Sequence, residues 1–525
     1  MKEQSSTQEV PAQKDGASKG MSSAEGSPST TGGVPKGPPP EKRSIAFYIH
    51  CLIGFFFMFI FGHVVEPIGT ITPLGMQILG VFIGAVYMWT IVNILWPSLL
   101  GLVALGLTDI GTVGGVIVTS FGNTTILAIL FAFILFGAVE HSGVATYISR
   151  WFLTRKIING RPIVFSFILM YCAFILSAAT NPLPAILLMW AVLYATVKDL
   201  GLNKTDTYAK VMVIGIFYGA ISGQATIPFT GSALALIGIF YATTDLYMSY
   251  MAYMLLSVVV ATVGITAYCL LMKFVFRPDM SKLAGVNVEM FDKEPLPPMN
   301  TQQKLLFGSI FAFIGLVMLP TFFTPGTVAA MDALRGFTPA GVAIFLIAIL
   351  CFINVDGKPV LNFKEITGKY VNWGIVLLVV LAIALANNLM HPDTGIRDMI
   401  TLAFEPVLGG QGAAGFSILT MVTATLITQV TNNVIVGALL LPVIYIFGVP
   451  IGIDIAALFA LVIFMIHLAM LLPAATAYTP LLWGNREWVS VKDIMKYGIP
   501  VTIVSLILYV VIGVPVANFI FSIFN

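Results

Sequence analysis

The chain has 525 residues, 58 % of them hydrophobic and only 10 % charged, with a net charge of +2 at neutral pH. Apolar runs of about twenty residues recur along it, which excludes a soluble enzyme and leaves an integral membrane protein built from spanning helices. So small a positive excess, with no basic block interleaved with aromatics, does not imply nucleic acid as a partner, and none is expected.

Residues 1–43 are rich in Ser, Gly, Pro, Lys and Glu, bury too little apolar surface to fold, and are expected to form a disordered cytosolic tail. The first apolar run, at 45–65, is too long and too far along the chain for a signal peptide. Spanning helices are predicted at about 44–65, 72–88, 90–108, 121–141, 211–243 and 249–275. A polar cytosolic linker at 277–304 separates these from five more, at 305–323, 339–355, 372–390, 456–484 and 497–521, which makes eleven. Two further apolar stretches, 163–196 and 412–448, carry polar, helix-breaking residues at their middles and have room for two short helices each. Cys51, Cys172, Cys269 and Cys351 lie in or beside apolar runs, lack metal-ligand spacing and read as small core residues.

Basic residues in short loops mark the cytoplasmic side. Arg150, Arg155, Lys156 and Arg161 precede the first interrupted stretch and Lys198, Lys204 and Lys210 follow it, so it is expected to turn back as a re-entrant hairpin opening inward. The loop before the second stretch has Arg397 as its one basic residue, and Gly452-Ile453-Asp454 after it has none, so this hairpin is expected to open outward. The basic loops at 277–304, 358–369 and 486–496 then fall inside, with a cytoplasmic N-terminus and an external C-terminus. The expected plan is an all-α inverted repeat, with halves at 44–276 and 305–525, which places a solute site near the bilayer midplane. Aromatic and basic residues interleave at 144–157, as they suit a helix lying in the interface, and 396–404 is the matching stretch; both read as lateral arms joining a static part to a moving one.

The first hairpin tip reads Ser177-Ala178-Ala179-Thr180-Asn181-Pro182-Leu183-Pro184, where two prolines stop the helix. The second reads Thr428-Gln429-Val430-Thr431-Asn432-Asn433. About 45 residues after each tip comes a second break: Ser222-Gly223-Gln224-Ala225-Thr226-Ile227-Pro228 in one half and Pro473-Ala474-Ala475-Thr476-Ala477-Tyr478-Thr479-Pro480 in the other. Hydroxyls, amides and helix N-termini at such breaks can donate to an anion, while side-chain oxygens and freed carbonyls can hold a hard cation such as sodium. Taken singly, each break is as readily a kinked helix whose Ser and Thr bond their own backbone; four at matching spacing favour a transport site.

None of the four breaks contains Asp, Glu, Lys, Arg or His, which argues against a carboxylate proton relay there and favours an anion whose charge is offset by co-bound sodium. His467 stands alone in an apolar run and reads as a hydrogen-bonded core histidine rather than a coupling group. His50, His63, Glu140, His141 and His391 fall near predicted membrane ends, where an interfacial position is expected.

In the order helix, arm, hairpin, broken helix in both halves, and in the runs Phe121-Gly122-Asn123-Thr124-Thr125, Val371-Asn372-Trp373-Gly374 and Leu472-Pro473-Ala474-Ala475-Thr476, the chain from about Leu95 onward resembles the divalent anion:sodium symporter family of the ion transporter superfamily. The resemblance implies a homodimer with a static scaffold of early helices, and an elevator-like transport domain made of hairpins and broken helices. Members usually carry Ser-Asn-Thr at each tip; here the matching positions are Ala179-Thr180-Asn181 and Thr431-Asn432-Asn433, and the second-half Thr-Pro-Pro is replaced by Thr476-Ala477-Tyr478-Thr479-Pro480.

The expected function is sodium-coupled symport of a small divalent anion, a dicarboxylate for preference, in a cell membrane such as the bacterial inner membrane, with no organic cofactor. Anion exchange, cation or proton antiport, a channel and a non-transporting receptor are the alternatives. The expected substrate ligands are Thr180, Asn181, Ser222, Thr226, Thr431, Asn432, Asn433, Thr476 and Thr479. Sodium is expected near Thr180, Asn181, Gly223 and Thr226, and near Thr431, Asn432, Ala475 and Thr476.

Overall fold

A computed structural model describes residues 44–229, 231–244, 246–291, 297–323, 326–473 and 475–524. The expected N-terminal tail, most of the acidic part of the linker, and Thr230 and Ala474 of the two breaks lie outside the described residues.

About three quarters of the described chain is helical, and a two-residue antiparallel strand pair, Asn354–Val355 with Lys358–Pro359, forms a small hairpin. Among the described residues eight helices are long and apolar enough to cross a membrane, or up to eleven if each of three bent pairs is one span. Each predicted span is present as helix. The runs predicted at 211–243 and 456–484 are each divided, into Thr207–Gln224 with Gly231–Thr244 and Ile455–His467 with Thr479–Gly484. The interrupted stretches are helix pairs, Pro162–Ala179 with Pro182–Asp199 and Ala413–Ile427 with Asn433–Gly448, whose arms pack on one another.

Some elements differ from the sequence reading. A short helix, Val113–Phe121, separates Leu95–Gly106 from Thr124–His141. The second arm runs over Ile396–Leu408, continuing through Pro406, and meets Ala413–Ile427 at 105°. Ala329–Gly336 is a helix set 89° from Thr338–Phe352, and Phe363–Tyr370 lies 73° from Trp373–Leu389. Both extra helices are short and carry charge, Asp332 and Arg335 in one and Glu365 and Lys369 in the other, so an apolar periodicity passes over them.

Local chemistry fixes the helix starts. Thr72, Thr112, Asn123, Ser249, Asn372 and Asp454 each accept an orphan N–H of the first turn, and Asn300 with Gln303 and Ser490 with Asp493 form reciprocal capping boxes.

The tightest packing is between the first hairpin's leading arm, Pro162–Ala179, and Thr207–Gln224. Gly215, Gly219 and Gly223 recur every fourth residue on the latter, so they share one face. A methyl on Gly219 would meet the carbonyl oxygen of Met170, and one on Gly223 that of Phe174. Small residues at this spacing let two membrane helices approach to backbone contact.

The C-terminal half grips the same region. Tyr218 hydrogen-bonds Ser505 at 2.9 Å and Tyr509 at 3.2 Å, Lys210 pairs with Asp493 at 3.2 Å, and Asn485 donates to the Tyr194 hydroxyl at 2.6 Å. Trp488 stacks on Tyr194 with ring centres 3.9 Å apart.

Candidate functional site

At the first tip, Thr180 leaves the helix while its N–H and hydroxyl both donate to Leu176 O, at 2.9 and 2.7 Å. Asn181 is extended and its Oδ1 accepts Leu183 N–H at 3.1 Å, with Pro182 supplying a first helical position that needs no donor. At the second tip Asn432 Oδ1 accepts Val434 N–H at 2.9 Å. By this shared capping role Thr180-Asn181 corresponds to Thr431-Asn432, and Asn433 falls one place later. Thr431 is buried, with its hydroxyl 3.1 Å from that of the exposed Thr90.

In the first break Ser222 donates to Tyr218 O at 2.8 Å and Thr226 to Ser222 O at 3.2 Å, both buried. These two hydroxyls are therefore used on their own backbone, the arrangement of a kinked helix. The second break is longer than the sequence suggests, with no helix over residues 468–478 among those described. Thr476 Oγ1 accepts the N–H groups of Tyr478 and Thr479, each at 3.1 Å, and lies 2.8 Å from Thr479 Oγ1. Thr476 and Thr479 thus fold together as the cap of Thr479–Gly484.

A cavity of about 710 Å³ opens where the first tip, the first break and the second break converge. Ser177, Thr180, Asn181, Gln224 and Tyr478 line one side. The Tyr478 hydroxyl is in hydrogen-bonding reach of the Asn181 side chain. The facing wall comes from Thr124–His141, including Glu140, and from the bend between Phe363–Tyr370 and Trp373–Leu389, including Lys369 and Asn372. Of the nine residues expected to bind substrate, Thr180 and Asn181 line this cavity; Ser222, Thr226, Thr431, Asn432, Asn433, Thr476 and Thr479 do not.

Among the lining groups that the sequence does not single out as ligands are Ser177, Gln224, Tyr478 and Glu140. The first three lie inside the interrupted runs, but only folding tells which side chains of a break face the opening. Glu140, expected near a membrane end, lies at the end of Thr124–His141 and lines the cavity, as does Lys369. Ser177 Oγ and Gln224 Oε1 are buried with no hydrogen-bond partner, and a native structure seldom leaves such atoms unpaired unless something else completes them.

A second polar cluster lies behind the second tip. The amide of Asn433 sets one atom 3.0 Å from Ile466 O, 3.2 Å from Ala475 O and 3.2 Å from Thr428 Oγ1. With nitrogen in that place the amide donates to all three. With oxygen there, four oxygens converge, the donor set that suits a hard cation. Ala475 belongs to the expected second sodium position, but the side chains beside it are Asn433 and Thr428 rather than Thr431 and Asn432. At the expected first position Gly223 O accepts Thr226 N–H at 3.1 Å, and the next residue, Gln224, carries one of the two unpartnered oxygens. His467 is fully buried and bonded on both ring nitrogens, to Ile463 O and Ser232 Oγ at 2.6 Å each.

Residues 84–464 match the family model described as citrate transporter. Over 462 residues the chain is 24 % identical to the sodium-dependent dicarboxylate transporter SdcS of Staphylococcus aureus, covering 82 % of this chain and 85 % of that protein. Two solved structures share the fold. The YdaH transporter of Alcanivorax borkumensis superposes with a TM-score of 0.56 at 14 % identity, covering 85 % of this chain and 98 % of that one. MtrF of Neisseria gonorrhoeae, described as illuminating a class of antimetabolite efflux pumps, gives 0.53 at 13 % identity, covering 88 % of this chain and 97 % of that one.

Proposed function

Because the chain belongs to the citrate transporter family, we propose that it is a secondary active transporter moving a small divalent carboxylate, most simply a dicarboxylate, together with sodium. The observation that carries this reading is the cavity at the first tip, where uncharged polar groups from three separate breaks, Asn181, Gln224 and Tyr478, meet around one space. Neutral donors at helix ends hold a carboxylate without a fixed buried cation, which leaves its charge to be balanced by a co-transported ion. With the Asn433 amide oxygen turned toward Ile466 O, Ala475 O and Thr428 Oγ1, four oxygens would be offered to sodium, and the name of the staphylococcal relative is consistent with that ion.

The cavity reaches the first tip and not the second. With both ends of the first hairpin cytoplasmic, as the loop charges suggest, this is an inward-open arrangement with the N-terminus inside and the C-terminus outside. An elevator movement of the two hairpins and broken spans against the wall that carries Glu140 and Asn372 would then expose the site on the other face. The homodimer implied by the sequence resemblance would anchor that wall.

The test is uptake of labelled succinate, citrate and sulfate into proteoliposomes with and without an inward sodium gradient. Sodium-driven accumulation of a carboxylate is expected. Uptake indifferent to sodium overturns the symport and favours a second reading, proton coupling or exchange, to which Glu140 in the cavity wall would lend a titratable group.

A further inference from the structure

We propose that Gln224 selects among anions by accepting a hydrogen bond from a hydroxyl group on the transported carboxylate, its amide oriented by Ser232 and His467 so that the buried oxygen is the end left without a partner. This rests on the transport reading above and adds to it the class of substrate: a hydroxy acid rather than a plain dicarboxylate.

The orientation of the amide follows from a chain of hydrogen bonds that has one consistent direction. His467 Nδ1 lies 2.6 Å from Ile463 O, and a carbonyl oxygen only accepts, so Nδ1 carries a proton. The ring is fully buried on an apolar helix and its two partners are neutral, and a charge there without a carboxylate beside it would be costly. The imidazole is therefore neutral and Nε2 is a bare acceptor. Ser232 Oγ, 2.6 Å from Nε2, must give its proton to it. The serine oxygen in turn accepts from Gln224 Nε2 at 3.2 Å. That leaves Gln224 Oε1 as the free end of the amide, buried and unpartnered in a side chain that lines the cavity.

Ser177 Oγ, the other unpartnered atom, lies in the same lining. Gly223 brings the two helices together here, since its missing side chain makes room for the turn from Phe174 to Ser177. A serine hydroxyl can donate to a carboxylate; a glutamine oxygen cannot. An anion made only of carboxylates would set its own oxygens against Oε1, whereas one bearing a hydroxyl supplies the missing donor. A site built around a substrate hydroxyl rejects the analogue that lacks it because a buried polar group is then left unpaired. Gln224 is the residue in contact with substrate in this scheme, and Ser232 and His467 act through it as positioning residues.

The experiment uses the purified full chain in proteoliposomes at saturating sodium and a pH of about 7.5, well above ordinary carboxyl values so that carboxyls are ionised. Half-saturation constants are measured for two pairs that differ by one hydroxyl, malate against succinate and citrate against tricarballylate. The hydroxy acid is expected to be preferred by about ten- to a hundredfold in the pair the protein carries. In Gln224→Leu and Gln224→Met, both close to glutamine in volume, that ratio is expected to fall to near one. Ser232→Ala should lower it, and Ser232→Thr, which keeps the hydroxyl, should retain it. A general folding defect reduces the amount of active protein and leaves a ratio of half-saturation constants in place.

A wild-type ratio near one, or a ratio unmoved by both Gln224 variants, overturns the inference while transport stands. Loss of sodium affinity in those variants with the ratio unmoved also overturns it, and makes Oε1 a cation ligand. A wild type that carries none of the four acids overturns the transport reading itself.

Discussion

Asn181 and Asn432 do the same work at the two hairpin tips: the side-chain oxygen of each accepts the N–H two residues on, Leu183 at 3.1 Å and Val434 at 2.9 Å. Their surroundings differ, since Asn181 lines the cavity and Asn432 does not. A shared cap with a cavity at one tip alone is what the proposed two-sided site would show with one side open.

Replacing either asparagine by alanine removes a cap worth about 1 kcal/mol, so Asn181→Ala and Asn432→Ala are expected to lower the thermal midpoint of the detergent-solubilised protein by similar amounts. Loss of the side-chain donor from the site adds a binding defect of roughly ten- to a hundredfold in substrate half-saturation. Asn181→Ser, which keeps a capping oxygen, separates the two effects: stability is expected to return and affinity is not. Unchanged transport in both alanine variants would mean that the site lies elsewhere.

The assignment of sidedness is checked by thiol labelling in a background without the native cysteines. Ile157 and Lys198 are exposed at the two ends of the first hairpin, and Gln411 and Ile451 flank the second. Cysteines at the first two positions are expected to react only with reagent admitted to the cytoplasmic side, and those at the last two only from outside. Ends of one hairpin labelled from opposite faces would make it a single interrupted span and remove the inverted repeat.

Gly219 and Gly223 hold the leading arm of the first hairpin at backbone contact. Gly219→Ala places a methyl against Met170 O and Gly223→Ala one against Phe174 O, and neither neighbour can rotate away because both are backbone atoms. Overpacking of this kind costs about 1–3 kcal/mol, so each variant is expected to show a lower unfolding midpoint, with Gly111→Ala, at a position with open space around it, as the control. A midpoint equal to wild type in both would mean that the helices stand further apart than described.

Much of the fold was legible because hydrocarbon imposes its pattern on the sequence: long apolar runs became helices, and Thr180-Asn181, Thr431-Asn432 and the Pro-bearing breaks interrupted them where expected. What was not legible was direction. The polarity of Ser222 and Thr226 marks a break, but only the folded helix shows their hydroxyls turned back on Tyr218 O and Ser222 O. Gln224, in the same run, lines the cavity and bonds Ser232 instead. Glu140 was hidden for another reason: it lies at the end of an apolar helix far in sequence from every break, and enters the cavity through tertiary packing against the segment around Lys369 and Tyr370. The pairing of Ser232 with His467 joins residues 235 apart, which no local pattern reports.

Asn433 offers the sharpest test of the coupling ion. Its amide faces Ile466 O, Ala475 O and Thr428 Oγ1 at 3.0–3.2 Å, while the Thr428 hydroxyl donates to Ile466 O at 2.7 Å. If sodium is held here, turning the amide oxygen inward adds a ligand, and Asn433→Ala removes it without touching the cavity lined by Asn181 and Gln224. The expected result is a rise of about tenfold or more in the sodium concentration for half-maximal uptake, with substrate half-saturation at saturating sodium moved much less. Thr428→Val should act in the same direction, since it keeps the shape and deletes the oxygen. If both variants raise the substrate constant and leave the sodium constant alone, the cluster is a structural knot in which the amide nitrogen bonds all three oxygens, and the cation must be held elsewhere.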